Sequence, residues 1–272
     1  MSEGNNFKLD ITKTQSDVNQ NNPPLVFVHG VCHSSWCWQE NYVPFFSRNG
    51  WDTYSFSLRG HGQSQGRNQL NQFGLTDYVY DLLSVIDILE EPPIVIGHSM
   101  GGIITQLLMS QFPQKISGAV LLATMPSGGV TFWETLRLFL SLKGMLNLSR
   151  LLKEKPIAAR EVRKLPFFSG RIGIDQATQY MSLLQTESAR ALSEIPKFLT
   201  TGGSQSFPLL VLGSKQDLIF GRKAVERTAK HYNTQAIVLE EGCHDLMLDP
   251  LWEKSAQCIL EWLQSSQFEK KP

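Results

Sequence analysis

Short, largely apolar runs punctuate this chain, and stretches with a helical period separate them. Leu25–Val28, Thr53–Leu58, Ile94–Ile96, Ala119–Leu122, Leu209–Leu212 and Ala236–Leu239 are too short for helices and read as buried strands. Between them, Trp36–Arg48, Leu75–Leu89, Gly101–Gln111, Arg222–His231 and Leu251–Leu263 repeat apolar residues at the spacing of one helix face. A strand that is apolar on both sides belongs in a sheet covered on both sides. The alternation therefore predicts an α/β fold, a mostly parallel central sheet with helices on both faces. In such sheets ligands bind beyond the carboxyl ends of the strands, so the turns there carry the functional weight. Phe7–Thr12 (FKLDIT) alternates and predicts an antiparallel edge strand.

The strand rhythm stops between about Ser127 and Thr200. Phe132-Trp133, Leu136, Leu138-Phe139-Leu140 and Met145–Leu152 are helix-patterned, as is Tyr180–Leu184. An insertion of this size between two strands would lie over the carboxyl edge. The expected organisation is a core formed by residues 1–126 and 201–272, with a helical cap, or lid, at 127–200.

Composition narrows the chemistry. The hydrophobic share is 42% and the charged share 18%, enough to build a core and too apolar for disorder. Lysine plus arginine and aspartate plus glutamate stand at 25 each, so no field of one sign draws the chain to nucleic acid or an anionic membrane. Cys32, Cys37, Cys243 and Cys258 form neither a CxxC pair nor a zinc-type spacing, which predicts reduced thiols and no bound metal. The polar stretch Met1–Asn22 has no secretory apolar region, and no run reaches the ~18 apolar residues of a membrane span. A cytoplasmic protein without a membrane segment is expected.

The most informative stretch is Ile94-Val95-Ile96-Gly97-His98-Ser99-Met100-Gly101-Gly102. A G-x-S-x-G pattern between a buried strand and a helix is where a sharp turn holds a serine in a strained conformation. Glycines at 97 and 101 leave room for strand and helix to approach. A serine hydroxyl needs a base to become a nucleophile, and a helix N-terminus favours the negative charge that develops.

With these residues the chain resembles the α/β-hydrolase superfamily, in its serine esterase and lysophospholipase-like branch, over nearly its full length. His29-Gly30 looks like the family's oxyanion segment. Ser57-Leu58-Arg59-Gly60-His61-Gly62-Gln63-Ser64 is similar to its R-G-x-G turn, and Gly97–Gly102 to its nucleophile elbow. The resemblance implies the chain order Ser, acid, His. Asp217, in the turn after Leu209–Leu212, takes the acid's place; the other strand end sometimes used, Ala123–Pro126, holds no carboxylate. His244, past Ala236–Leu239 and before the last helix, takes that of the base. His61 and His98 belong to turn motifs where local hydrogen bonds are the expected role, and His231 ends a helix. Ser99 would then attack an acyl carbon, His244 would carry the proton, and Asp217 would hold the imidazole. The backbone N–H groups of Val31 and Met100 would bind the oxyanion, with no cofactor required.

His29–Trp38 (HGVCHSSWCW) also resembles a segment of plant methylesterases and hydroxynitrile lyases, with Ser34-Ser35 in place of Gly-Ala, and Gly242–Pro250 fits bacterial lysophospholipase-like hydrolases. His29, Cys32, His33, Phe132 and Trp133 are the candidate substrate contacts, and apolar residues of the cap (Phe139, Phe167, Phe168) suit an acyl or aromatic group. The expected activity is hydrolysis of a small-molecule carboxylic ester. The same triad also serves carbon–carbon hydrolysis and cyanohydrin cleavage, and a receptor with little turnover can share the fold. Serine rather than aspartate at position 99 argues against dehalogenase or epoxide hydrolase chemistry.

Overall fold

The computed structural model describes residues 7–16, 18, 22–129 and 165–266. Its strands are β1 (Asp10–Thr14), β2 (Leu25–Val28), β3 (Thr53–Ser57), β4 (Ile94–His98), β5 (Gly118–Leu122), β6 (Leu209–Ser214) and β7 (Ala236–Leu239). They form one seven-stranded sheet in the order β1-β3-β2-β4-β5-β6-β7. β1 is antiparallel to β3, and the other neighbours are parallel. The helices are α1 (Trp36–Gln39), α2 (Tyr42–Arg48), α3 (Leu75–Ile86), α4 (Met100–Gln111), α5 (Ile174–Leu183), α6 (Ala189–Glu194), α7 (Arg222–His231) and α8 (Trp252–Ser265). The architecture is the α/β one that the apolar pattern predicts.

Successive strand residues point to opposite faces, and the core divides accordingly. Leu25, Phe27, Ile94, Ile96, Leu210 and Leu212 pack with Trp38, Tyr42 and Phe46 of α1 and α2 and Ile259 of α8. Val26, Val28, Val95, Ala119 and Val211 pack with Tyr78 and Leu82 of α3, Ile104 of α4 and Ala224 of α7. Burying both faces is what makes continuous apolar runs the right code for these strands.

Register then places the functional turns. Val28 pairs with Gly97, His98 with Leu122, Leu122 with Leu212, and Ser214 with Leu239. The parallel strands thus finish together at one edge. The chain steps from β2 to β3 on one side and returns to β4 on the other, so the turns after β2 and β4 flank the crevice where the winding reverses.

Two elements differ from the sequence expectation. The edge strand begins at Asp10 rather than Phe7, because the Phe7 ring packs edge-on against Phe73 at 5.2 Å and Lys8 bonds to Gln65. The single helix expected over Trp36–Arg48 is split into α1 and α2. Pro44 has no N–H for the Glu40 carbonyl, and its ring would collide with that carbonyl, so one helix cannot run through.

Of the expected cap, Phe132, Trp133 and Phe139 lie outside the described residues. The described part, from Leu165, carries α5 and α6 and brings Leu165, Phe167, Phe168 and Tyr180 onto the Trp38 core. Its backbone also bonds to functional turns, Gln185 N–H to the Cys32 carbonyl (2.8 Å) and the Phe167 carbonyl to Asp245 N–H (3.1 Å).

Helix α4 sits close enough to β2 that a methyl group on Gly101 would run into the Val28 and His29 carbonyls. Backbone cannot yield there. Gly101→Ala is expected to cost about 3 kcal/mol of stability by urea or thermal unfolding. Gly170→Ala, which faces open space, should change it by less than about 0.5 kcal/mol.

Candidate active site

Ser99 lies between the last residue of β4 and the first of α4, at φ 53 and ψ −115. A non-glycine residue adopts such a conformation only when its surroundings over-determine it. Here its N–H donates to the Leu122 carbonyl at 3.0 Å, and its carbonyl accepts from the Thr124 hydroxyl at 3.0 Å and from Ile103 N–H at 3.2 Å. Thr124 is itself held by Gln106, whose amide also bonds to the Met125 carbonyl and to Tyr232. This buried network fixes the serine's backbone, so the hydroxyl can project without a capping role in α4.

The Ser99 hydroxyl is 2.9 Å from His244 Nε2, and His244 Nδ1 is 2.9 Å from Asp217 Oδ2. Relative exposures of 7%, 1% and 0% leave the chain of contacts almost dry. A carboxylate can only accept, so Nδ1 must carry the proton, and the free lone pair on Nε2 faces the serine hydroxyl. Asp217 is tied by Ile219 N–H (2.7 Å) and Phe220 N–H (3.0 Å), both on its other oxygen, Oδ1. The loop after β7 is held by Asp249, which accepts from Cys243 N–H at 2.9 Å and Leu251 N–H at 2.8 Å.

Electrostatics suit a base. Burial pulls the His244 imidazole down, but the charge and hydrogen bond of Asp217, helped by Asp245, outweigh it and hold it above its ordinary 6.5. His98 has a carboxylate only at 3.6 Å, the Asp245 Oδ1, which does not outweigh its burial. Burial and the neighbouring His244 pull it down to about 3. Its Nε2 donates to the His244 carbonyl at 3.0 Å, tying the serine turn to the base loop.

Met100 directly follows Ser99, and Val31 follows Gly30, where a methyl group would come within 3.0 Å of Ser99 Cβ. Met100 opens α4, where no acceptor within the helix is available, and neither N–H has an acceptor among the described residues. The remaining expected contacts fare differently. His29 is fully buried, its Nδ1 bonding to the Gly30 carbonyl (2.9 Å) and its Nε2 accepting from Leu58 N–H (3.0 Å), so it braces the β2 turn against β3 instead of facing a ligand. Burial, followed by the charge of His61, pulls it down to about 3. Cys32 is fully buried at φ 67, its thiol raised well above its ordinary value by burial. His33 is buried between the Val31 carbonyl and Asp245.

Sequence reading passed over four residues here: Thr124, Asp245, Asp249 and Glu187. Buried Glu187 meets His61 Nε2 at 3.1 Å and accepts from the Tyr78 hydroxyl at 2.9 Å, docking the segment before α6 onto the R-G-x-G turn. Only Asp245 and Asp249 carry a local signal, as carboxylates beside a candidate base. His98, His244 and Asp245 place ligand atoms within 4.8 Å of one another. Both His244 nitrogens and His98 Nε2 are already committed to hydrogen bonds, so the cluster reads as a brace rather than a metal centre.

A family model for the alpha/beta hydrolase fold matches residues 23–251. Methylesterase 9 of Arabidopsis thaliana is 35% identical over 101 residues, 36% of this chain and 39% of that protein. Methyl jasmonate esterase 1 of Vitis vinifera is 34% identical over 107 residues, 38% of this chain and 40% of that one. The match thus spans about two fifths of these relatives. Among solved structures, an esterase from Thermogutta terrifontis superposes with a TM-score of 0.73 at 18% identity, over 95% of this chain and 93% of that one.

Histidine-ring NMR should show His244 protonating with a midpoint above 6.5 while His29 and His98 stay neutral down to about pH 5. Asp217→Asn removes the attraction that holds the proton, so the His244 midpoint should fall.

Proposed function

The chain belongs to the α/β-hydrolase family, and we propose that it is a serine hydrolase that cleaves a small-molecule carboxylic ester through an acyl-enzyme on Ser99. The carrying observation is the buried relay of Ser99, His244 and Asp217 with both contacts at 2.9 Å. The methylesterase names of the relatives support the reaction class and make methyl esters of small organic acids the first substrates to try.

In this reading His244 Nε2 accepts the Ser99 proton as the oxygen bonds to the acyl carbon. The imidazolium that results is held by Asp217, and it returns the proton to the departing alcohol. The Val31 and Met100 N–H groups receive the oxyanion, where loss of one donor typically costs about 3–4 kcal/mol. Water then enters and gives its proton to the same imidazole as its oxygen bonds to the acyl carbon; the bond to Ser99 breaks, the imidazolium returns the proton to the serine oxygen, and the acid leaves. Residues 127–200 are proposed as the cap, with Phe132 and Trp133 as candidate contacts to the acyl group.

p-Nitrophenyl esters of rising acyl length and a set of methyl esters, methyl jasmonate included, test the reading. Ser99→Ala should lower kcat by at least about a thousandfold and Asp217→Asn by about ten-thousandfold, with folding intact. The protonated imidazole cannot accept the serine proton, so kcat/KM should rise with pH through a limb above 6.5. Hydrolysis undiminished by Ser99→Ala, or a fluorophosphonate that attaches elsewhere, would overturn the assignment.

A further inference from the structure

Behind the proposed relay lies a second imidazole–carboxylate pair that the reaction described above does not use. His33 and Asp245 are 1% and 0% exposed. His33 Nε2 is 3.0 Å from Asp245 Oδ2, and its Nδ1 donates to the Val31 carbonyl at 2.8 Å. Nδ1 is hydrogen-bonded, while Nε2 lies at ion-pair distance from the carboxylate without an aligned hydrogen bond. The ring thus stands between a backbone carbonyl of the turn after β2 and a carboxylate of the loop after β7. Such a pair is retained in a dry interior only if its geometry is fixed and its charges balance.

The placement gives the pair a task. The peptide that carries the Val31 N–H is planar, so its direction is set by the Gly30 carbonyl at its other end. That carbonyl accepts from the His33 N–H at 3.3 Å, while the His33 ring holds the next carbonyl along. Cys32, between them, sits at φ 67, a strained value that needs restraint from its neighbours. At the other end, Asp245 directly follows His244 in the chain. Its second oxygen is 3.6 Å from His98 Nε2, the nitrogen that bonds to the His244 carbonyl. The pair thus joins the turn after β2 to the loop after β7.

We propose that His33 and Asp245 are positioning residues that lock the oxyanion turn to the loop of the catalytic base, so that the Val31 N–H and His244 Nε2 keep a fixed relation to Ser99. Neither residue touches reacting atoms. The inference rests on the serine-hydrolase reading and adds to it which buried residues hold its two halves in register.

The test uses the full chain with His33→Gln, Asp245→Asn and the double variant. The rate at which a fluorophosphonate modifies Ser99 is the first readout, because it needs base and oxyanion donors but no ester. kcat, KM and the pH profile on a cleaved ester are the others. Each single variant should slow modification and kcat by about tenfold to a hundredfold, the scale of a small misplacement. KM should stay within about threefold, and the double variant should be no worse than the singles.

The pH limb supplies what loss of packing would not. The charged or titratable groups facing His244 are Asp217 from the turn after β6, His98 from the serine turn, and Asp245 and Cys243 from its own loop. Asp245→Asn removes a negative charge and should move the limb to lower pH. His33→Gln keeps that charge and should not move the limb to lower pH. Wild-type rates in folded variants, or limbs that move together, overturn the proposal. If the single variants do not fold, the double variant, which leaves no unpaired charge, decides by the same rate. A wild-type protein that is modified at Ser99 but cleaves no ester refutes the ester reading alone, and one that is not modified refutes both.

Discussion

The site hangs on one strained residue. Ser99 at φ 53 costs on the order of 1–3 kcal/mol, which no local preference of serine repays. The surroundings impose it: β4 is clamped between β2 and β5, α4 starts one residue later, and Gly101 lets that helix lie against the Val28 carbonyl. With strand and helix both fixed, the connecting residue has one conformation left, and it aims the hydroxyl away from the helix. The Thr124 and Gln106 contacts then remove the remaining freedom of the Ser99 carbonyl. Strain here depends on tertiary packing, and the packing depends on where glycines stand.

A second constraint is electrostatic. The carboxyl edge buries Asp217, Asp245, Asp249 and Glu187 with His29, His33, His61, His98 and His244 in a nearly dry region. An unpaired charge there is costly, so each carboxylate meets a ring or a backbone N–H. The histidines separate by partner. His29 and His98 lack a bonded carboxylate and are pulled down to about 3, so they act as neutral braces. His244, opposite Asp217, is held above its ordinary value. Residues of one type thus differ in chemistry through the acceptors that the turns present to them.

The pattern of legibility follows from the range of each interaction. Strands apolar on both faces, such as Leu25–Val28 and Ile94–Ile96, announce a doubly covered sheet because burial acts residue by residue. The serine turn is legible since strand, glycines and helix are contiguous. Asp217 and His244 are visible only as residues in the right turns, and the resemblance supplied their order. Pairings across the edge are a different matter. Nothing near His33 in the chain indicates Asp245, and nothing near His61 indicates Glu187, because register and helix packing create those contacts. The same limit explains His29, whose position in the turn after β2 suggested a ligand contact although the Leu58 N–H, just past β3, occupies its free nitrogen. Pro44 was readable in principle, since its missing N–H is local, yet the apolar period of Trp36–Arg48 continues across the break.

The proposed relay and the contacts that brace it from outside are carried by different parts of the chain. Ser99, Asp217, His244 and their braces all stand on turns of the sheet, where strand register fixes them to each other. The insertion between β5 and β6 touches that machinery through backbone and buried side-chain contacts: Phe167 to Asp245, Gln185 to Cys32, Glu187 to His61. None of these bonds uses the Ser99 hydroxyl or the His244 ring. The Phe167 ring also lies 6.3 Å from the His244 ring, so the described part of the insertion packs against the relay as well as bracing its turns. In a fold whose members share such an edge, strand register sets the turns relative to one another, and the described part of the insertion holds them from outside.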